Sequence, residues 1–298
     1  MLEQSPGDYR YGDVREQAVG PGQVRVRVVA SALNHMDLWL ALGMPKPPLL
    51  PMVPGCDAAG VVAEVGEGVS GWAVGDEVVV NPSLACGHCP ECLAGRSVYC
   101  ASWGILGEHQ CGSHGESVMV GEANLVRRPE GRTWEECGAY GLCGLTAYRM
   151  LRRARLVAGE DLLVAGAGGG VATAALALGL RMGATVYVPS RHEAKRGRAL
   201  GAASAFPSGE KIPVKCDVVV DNSGGPTWAS SFGALKKGGR LAVCGGTGGG
   251  GPTCTFPGCF SATTSSSARR WGLFGVRRAD SACRRRPPGR GGQHLPPR

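Results

Sequence analysis

The 298-residue chain reads as an α/β protein with a β-rich first half and a parallel-sheet second half. Three observations predict this. Short alternating strands fill residues 24–80, four closely spaced cysteines interrupt them, and from residue 161 apolar strands alternate with glycine turns and helices. A chain of this length can bury two separate cores.

In the first half, Gln23-Val-Arg-Val-Arg-Val-Val29 alternates polar and apolar residues as a half-buried strand does. Strands follow at Gly60–Val65 and Asp76–Val80, and another is expected at Glu116–Val120. Between the first two, His35–Leu42 suits one short helix ahead of the turn region Pro45–Pro54. This domain is drawn over residues 1–140, with a loop at about 84–103 set aside for the cysteines.

Cys86, Cys89, Cys92 and Cys100 are three, three and eight residues apart, with Gly87, Pro90 and Gly95 turning the backbone between them. Four thiolates with no histidine and no open position describe a closed, structural zinc site. A disulfide cluster needs an oxidising compartment, and an iron–sulfur centre prefers a shorter last gap followed by proline, whereas Ala101 follows Cys100. The chemistry is therefore expected elsewhere.

The second half is drawn over 141–250. Helical sequence covers Glu135–Leu156. Strands are expected at Asp161–Ala165, Ala184–Val188, Cys216–Asp221 and Arg240–Cys244, and helices at Val171–Met182, Arg191–Leu200 and Thr227–Leu235. Continuous apolar strands separated by helices imply a parallel sheet covered on both faces. From Gly251 the pattern stops. Residues 251–298 are rich in Arg, Pro, Ser and Gly and are expected to be disordered or poorly packed.

The net charge of +8 belongs to that tail, which holds nine arginines, no lysine and one acidic residue. The body is neutral, so nucleic acid is not an expected partner. No apolar run reaches the roughly 18 residues that cross a bilayer. The N-terminus has no basic segment leading into an apolar one, so no membrane attachment and a cytoplasmic location are expected.

Gly166-Ala167-Gly168-Gly169-Gly170-Val171 follows a strand and opens a helix. Glycines there let the backbone turn tightly against a pyrophosphate seated on the helix N-terminus. The end of the next strand selects the dinucleotide. An acidic residue there would bind a ribose 2′-hydroxyl, but this chain has Ser190 and Arg191, with Lys195 one turn on. A hydroxyl beside cations suits a 2′-phosphate, which favours NADP(H), with NAD(H) as the alternative.

Taken together, Gly22–Asp37, Pro54–Val62, Gly75–Val78, the cysteine lobe and Gly166–Ala172 resemble the medium-chain dehydrogenase/reductase superfamily of zinc-type alcohol dehydrogenases and quinone oxidoreductases. The resemblance runs from about residue 9 to 247. It implies a GroES-like catalytic domain, a Rossmann domain, and hydride transfer between NADP(H) and a quinone, enone or other small carbonyl substrate.

Members with a catalytic zinc carry Cys-x-x-Asp, Gly-His-Glu and a further cysteine. Here Asn34 stands at the first position, Cys56-Asp57 at the second and Cys143 near the third. Cys56, Asp57 and Cys143, with His35, form a possible second zinc set, which would suit a zinc-dependent alcohol dehydrogenase. Without that metal a hydrogen-bond donor must steady the substrate oxygen. Asn34 is the first candidate, followed by His35 and Tyr148.

The resemblance also implies a homodimer built on the last Rossmann strand, which the tail replaces. An exposed edge at Arg240–Cys244 is therefore expected. The tail has the composition of a GC-rich frame read out of phase, so an inactive zinc- and nucleotide-binding remnant is a further reading.

Overall fold

The computed structural model describes residues 1–44, 46–166, 168–190, 201–207 and 212–244, together with the backbone of a strand at 274–278. The helix expected at Arg191–Leu200 and most of the tail lie outside the described residues, as do Ala167, Arg191 and Lys195.

The first half runs β1 (Gln23–Ala30), α1 (His35–Ala41), β2 (Ala59–Val65), β3 (Glu77–Val80), β4 (Ser83–Leu84), α2 (Pro90–Leu93), β5 (Gly104–Ile105), β6 (Ser117–Gly121) and β7 (Leu125–Arg127). Five of these strands form an antiparallel sheet in the order β6-β1-β2-β3-β7. The alternation in β1 does what it predicts. Val24 and Val26 are fully buried and pack with Val62, Val78, Val80, Val118 and Val120. The β4–β5 pair closes the neck of the cysteine loop and was not foreseen, because two residues per strand carry no periodicity.

A second core joins α1 to the first residues of the chain. Leu2, Met36, Leu40, Met52 and Cys56 are all buried in it. Leu2 and Met52 exchange backbone hydrogen bonds of 2.7 and 2.8 Å.

The helical stretch expected at Glu135–Leu156 consists of two helices, α3 (Trp134–Gly138) and α4 (Gly141–Arg153). The break turns α4 inward, so that its Ala147, Met150 and Leu151 are fully buried against the second sheet. β8 (Asp161–Ala165), α5 (Gly170–Arg181), β9 (Thr185–Ser190), β10 (Ser204–Pro207), β11 (Cys216–Asp221), α6 (Trp228–Gly233) and β12 (Leu235–Val243) follow. With β13 at Phe274–Arg278, the sheet order is β10-β9-β8-β11-β12-β13, and the first five strands are parallel. Its strands are apolar throughout because both faces are covered. Leu162, Val164 and Val218 face α4 and α5, while Leu163 and Val219 share a cluster with Trp228 and Phe232 of α6.

Two expectations are corrected. The helix drawn to Leu235 ends at Gly233, and residues 235–239 are the start of β12, with Gly238 at positive φ. The edge at Arg240–Cys244 is not open, because β13 (Phe274–Arg278) pairs antiparallel with β12 from inside the stretch expected to be disordered. A strand edge gains hydrogen bonds from any extended backbone, so pairing does not require the apolar periodicity that the sequence lacks there.

Candidate functional site

The cysteine loop is ordered around sulfur. Cys86 and Cys92 lie 3.9 Å apart, Cys89 and Cys92 3.5 Å, and Cys100 and Cys86 3.5 Å. A tetrahedron with zinc–sulfur bonds of about 2.3 Å requires sulfurs about 3.8 Å apart. All four fall within 4.8 Å of one another, the group that converges this way among the described residues. The backbone N–H groups of His88 and Cys89 pull the Cys86 thiol below its ordinary range. Neither α2 nor the 3-10 turn at Ser97–Tyr99 buries a residue, so a metal held by the four sulfurs would be the core of this lobe. The lobe docks on α4 through Tyr99, whose hydroxyl accepts from Arg153 at 2.6 Å while Arg149 lies 5.8 Å from its ring centre.

The second cluster forms where α1, β2 and α4 begin. Asn34 caps α1. Its backbone N–H donates to Asp37 Oδ2 at 2.7 Å, and Asp37 Oδ1 accepts from Gly55 at 3.2 Å. Asp37 was missed in the sequence, although Asn-x-x-Asp ahead of an apolar run is a capping pattern. With the cap held by Asp37, the Asn34 side chain turns inward. Its Nδ2 donates to Asp57 Oδ2 at 2.8 Å and to Cys56 Sγ at 3.3 Å. Its Oδ1 accepts from the Cys143 thiol at 3.6 Å. Asp57, 1% exposed, takes the Leu142 N–H on its other oxygen at 2.6 Å.

The structure therefore brings Asn34, Cys56, Asp57 and Cys143 together, but as a hydrogen-bonded set. A metal needs the lone pairs that here receive protons. Asn34 N–H groups face Asp57 and Cys56, and the Cys143 S–H faces Asn34. Burial pushes the Cys143 thiol up to about 11 and Cys56 further, and it also raises Asp57, with Asn34 and Leu142 opposing that rise. The residues expected as a possible catalytic zinc set, Cys56, Asp57 and Cys143, thus do not fit one. Asn34, for its part, has its N–H groups engaged rather than free for a substrate oxygen.

His35 is exposed at the first turn of α1, with its ring centre 6.2 Å from that of Trp39. Tyr148 is 50% exposed, and helical geometry puts it about 140° around α4 from Cys143, away from the cluster.

Cys143 also touches the glycine turn. β8 ends at Ala165, Gly166 turns the chain at φ +83, and Gly169 caps α5. A Cβ on Gly170 would lie 2.5 Å from Cys143 Sγ. Gly170 thus stands where it does because the first turn of α5 presses on that sulfur. Gly170→Ala should destabilise the chain by about 1–3 kcal/mol, the usual range for overpacking, and Cys143→Ala in the same chain should restore most of the loss. Urea unfolding of the single and double variants measures both. Ser190 ends β9 and is buried, with no acidic residue at that strand end.

Residues 20–130 match the alcohol dehydrogenase GroES-like domain family. The chain is 33% identical over 247 residues to acryloyl-coenzyme A reductase of Metallosphaera sedula, covering 80% of this chain and 73% of the relative.

The chain belongs to the medium-chain dehydrogenase/reductase superfamily.

The five-stranded sheet is its GroES-like half, and the six-stranded sheet is its Rossmann-like half. The crotonyl-CoA carboxylase/reductase of Cereibacter sphaeroides is 30% identical over 287 residues, matching 82% of this chain and 66% of its own length. The solved structure of an NAD-dependent alcohol dehydrogenase superposes with a TM-score of 0.77 at 40% identity, over 82% of this chain and 75% of that one. These members of the superfamily are oxidoreductases, so the chain is built as an enzyme of that class. No helix among the described residues is long and apolar enough to cross a membrane.

Proposed function

We propose that the chain reduces a carbon–carbon double bond conjugated to a carbonyl, in an enone, a quinone or an unsaturated acyl thioester, using NADP(H). The carrying observation is the Asn34 carboxamide, which occupies the position where metal donors would otherwise converge. Conjugated carbonyls can accept hydride with hydrogen-bond assistance, whereas alcohol oxidation draws on a Lewis acid to acidify the alcohol. Two of the relatives, named as reductases of acryloyl- and crotonyl-CoA, support the same chemistry.

The nicotinamide would supply the hydride when bound. Gly166, Gly168, Gly169, Gly170 and Val171 would seat its pyrophosphate, together with Ala167, and Ser190, Arg191 and Lys195 would favour the 2′-phosphate. Asn34, held by Asp57, would form the rigid floor beneath the substrate. His35, exposed beside it, is the side chain left to donate to the developing enolate oxygen. Cys86, Cys89, Cys92 and Cys100 would hold the structural zinc. Protomers would pair as in the superfamily only where the last sheet strand is free to do so.

The test is NADPH oxidation followed at 340 nm with crotonyl-CoA, a simple enone and a simple quinone, beside NADP⁺ reduction with primary alcohols. Turnover on a conjugated carbonyl, reduced severalfold in His35→Ala, is expected. Oxidation of alcohols alone would overturn the reading. The similarity to the NAD-dependent alcohol dehydrogenase structure favours that second reading, with NAD(H) as cofactor.

A further inference from the structure

α1 is apolar on two opposite faces. Met36 and Leu40 are buried on one of them, against Leu2, Met52 and Cys56. The N-terminal residues close over that side. The Ser5 hydroxyl donates to the Leu40 carbonyl at 2.7 Å, the Gly7 N–H to that of Ala41 at 2.8 Å, and the Tyr9 hydroxyl to that of Asp37 at 2.6 Å. Core packing accounts for Met36 and Leu40. It does not account for Leu38 and Leu42, which are 61% and 59% exposed.

Leu38 and Leu42 follow His35 by three and seven residues, the spacing that puts all three on one helix face. That face carries no charge. The other polar residue of α1, Asp37, is buried and engaged in the cap. An uncharged stripe therefore starts at His35 and runs for about 10 Å, at a rise of about 1.5 Å per residue. Its starting point is the end of α1 that meets Asn34, Cys56 and Asp57. A molecule whose polar end sits at His35 meets only apolar surface beyond it, and this continuity with the site says what covers the stripe.

We infer that Leu38 and Leu42 are specificity-determining residues that hold the hydrocarbon tail of the substrate, so that the conjugated carbonyl compounds preferred by this chain carry straight alkyl tails. The inference deepens the proposed function and rests on it. The carbonyl oxygen at His35 fixes one end of the molecule, and the carbons past the double bond lie along α1. An extended chain with bonds of about 1.5 Å advances roughly 1.3 Å per carbon, which sets Leu38 level with about the fifth carbon and Leu42 with about the ninth.

NADPH oxidation by the full chain tests this with straight-chain 2-enones or 2-enoyl thioesters of four, six, eight and ten carbons, in whichever class is turned over. Each methylene laid on an open face is covered on one side, so kcat/KM should rise about twofold per added methylene, half the free energy of full burial. Leu42→Ser should leave the four- and six-carbon rates unchanged and abolish the rise from eight to ten. Leu38→Ser should abolish the rise from four to six as well. Both leucines are exposed, so neither change should disturb folding by more than a surface substitution does, and thermal unfolding checks that. A merely structural role would lower every rate alike.

A flat dependence on chain length in the unaltered chain, or variants that keep the rise, would overturn the inference and leave the proposed reaction standing. So would variants that keep the rise while sedimenting as a smaller species, which would assign the stripe to a second copy of the chain. Failure to turn over any conjugated carbonyl, short or long, would overturn the proposed function as well.

Discussion

Cys92→Ser should empty the zinc lobe and leave residues 86–100 open to protease while both sheets stay folded. Cys92 lies within 3.9 Å of both Cys86 and Cys89, so its loss removes the sulfur that closes the tetrahedron. Nothing apolar stands in for the metal, because α2 and the turn after it bury no residue. What remains is the exposed Arg96–Glu91 pair at 2.7 Å and the Tyr99–Arg153 contact, and surface pairs of this kind hold little. The unfolding is local because β4 and β5 pin the loop at its neck. Metal analysis should show about one zinc per chain before the substitution and none after it, since each four-cysteine site takes one ion. Limited proteolysis should then cut within the loop alone. About two zincs per chain in the unaltered protein would contradict the reading of Asn34, Cys56, Asp57 and Cys143 as a hydrogen-bonded set.

Asp57→Ala should cost about 2–5 kcal/mol, because it leaves buried donors without acceptors. The Leu142 N–H at the start of α4 and Asn34 Nδ2 both point at its oxygens. One of those donors belongs to the GroES-like half and the other to the helix that packs on the Rossmann-like sheet, so the carboxylate ties the two together. Its loss should also release Asn34, and activity on conjugated carbonyls should fall by more than the drop in folded population explains. Denaturant unfolding beside the rate at saturating substrate separates these effects. A double-mutant cycle with Asn34→Ala should show coupling of about 0.5–3 kcal/mol, as expected for residues in direct contact. Additive losses would show that the two side chains act independently.

Much of this was readable from residue order. β1 declared itself by alternation, the lobe by cysteine spacing, and the glycine turn by its place between an apolar strand and an Ala-rich helix. These are local signals, in which the residues that act together lie within a dozen positions of one another. The pieces that escaped are of two kinds. β4, β5 and β10 are too short for periodicity, and β13 exists only because β12 offers an edge. The helix expected to reach Leu235 stops at Gly233 because the chain from Leu235 onward is already extended as β12. In the structure Lys236 pairs with Asp161 and Asp217, both at 2.8 Å, and Arg240 with Glu160, which stitches β12 to its neighbours.

The site shows the same division. The family resemblance singled out Cys56, Asp57 and Cys143 as a possible metal set, and Asn34 as the hydrogen-bond donor that would act in its absence. Only the tertiary structure decided between these, because the choice depends on which way one carboxamide faces across 109 residues of chain. Asp37 frees that carboxamide by capping α1 itself, and Asp57 then orients it. Composition and spacing determine which atoms are available as donors, acceptors and ligands. Whether a lone pair meets a proton or a cation is set by packing, where a few tenths of an ångström and the cost of burying an unpaired charge leave one arrangement standing.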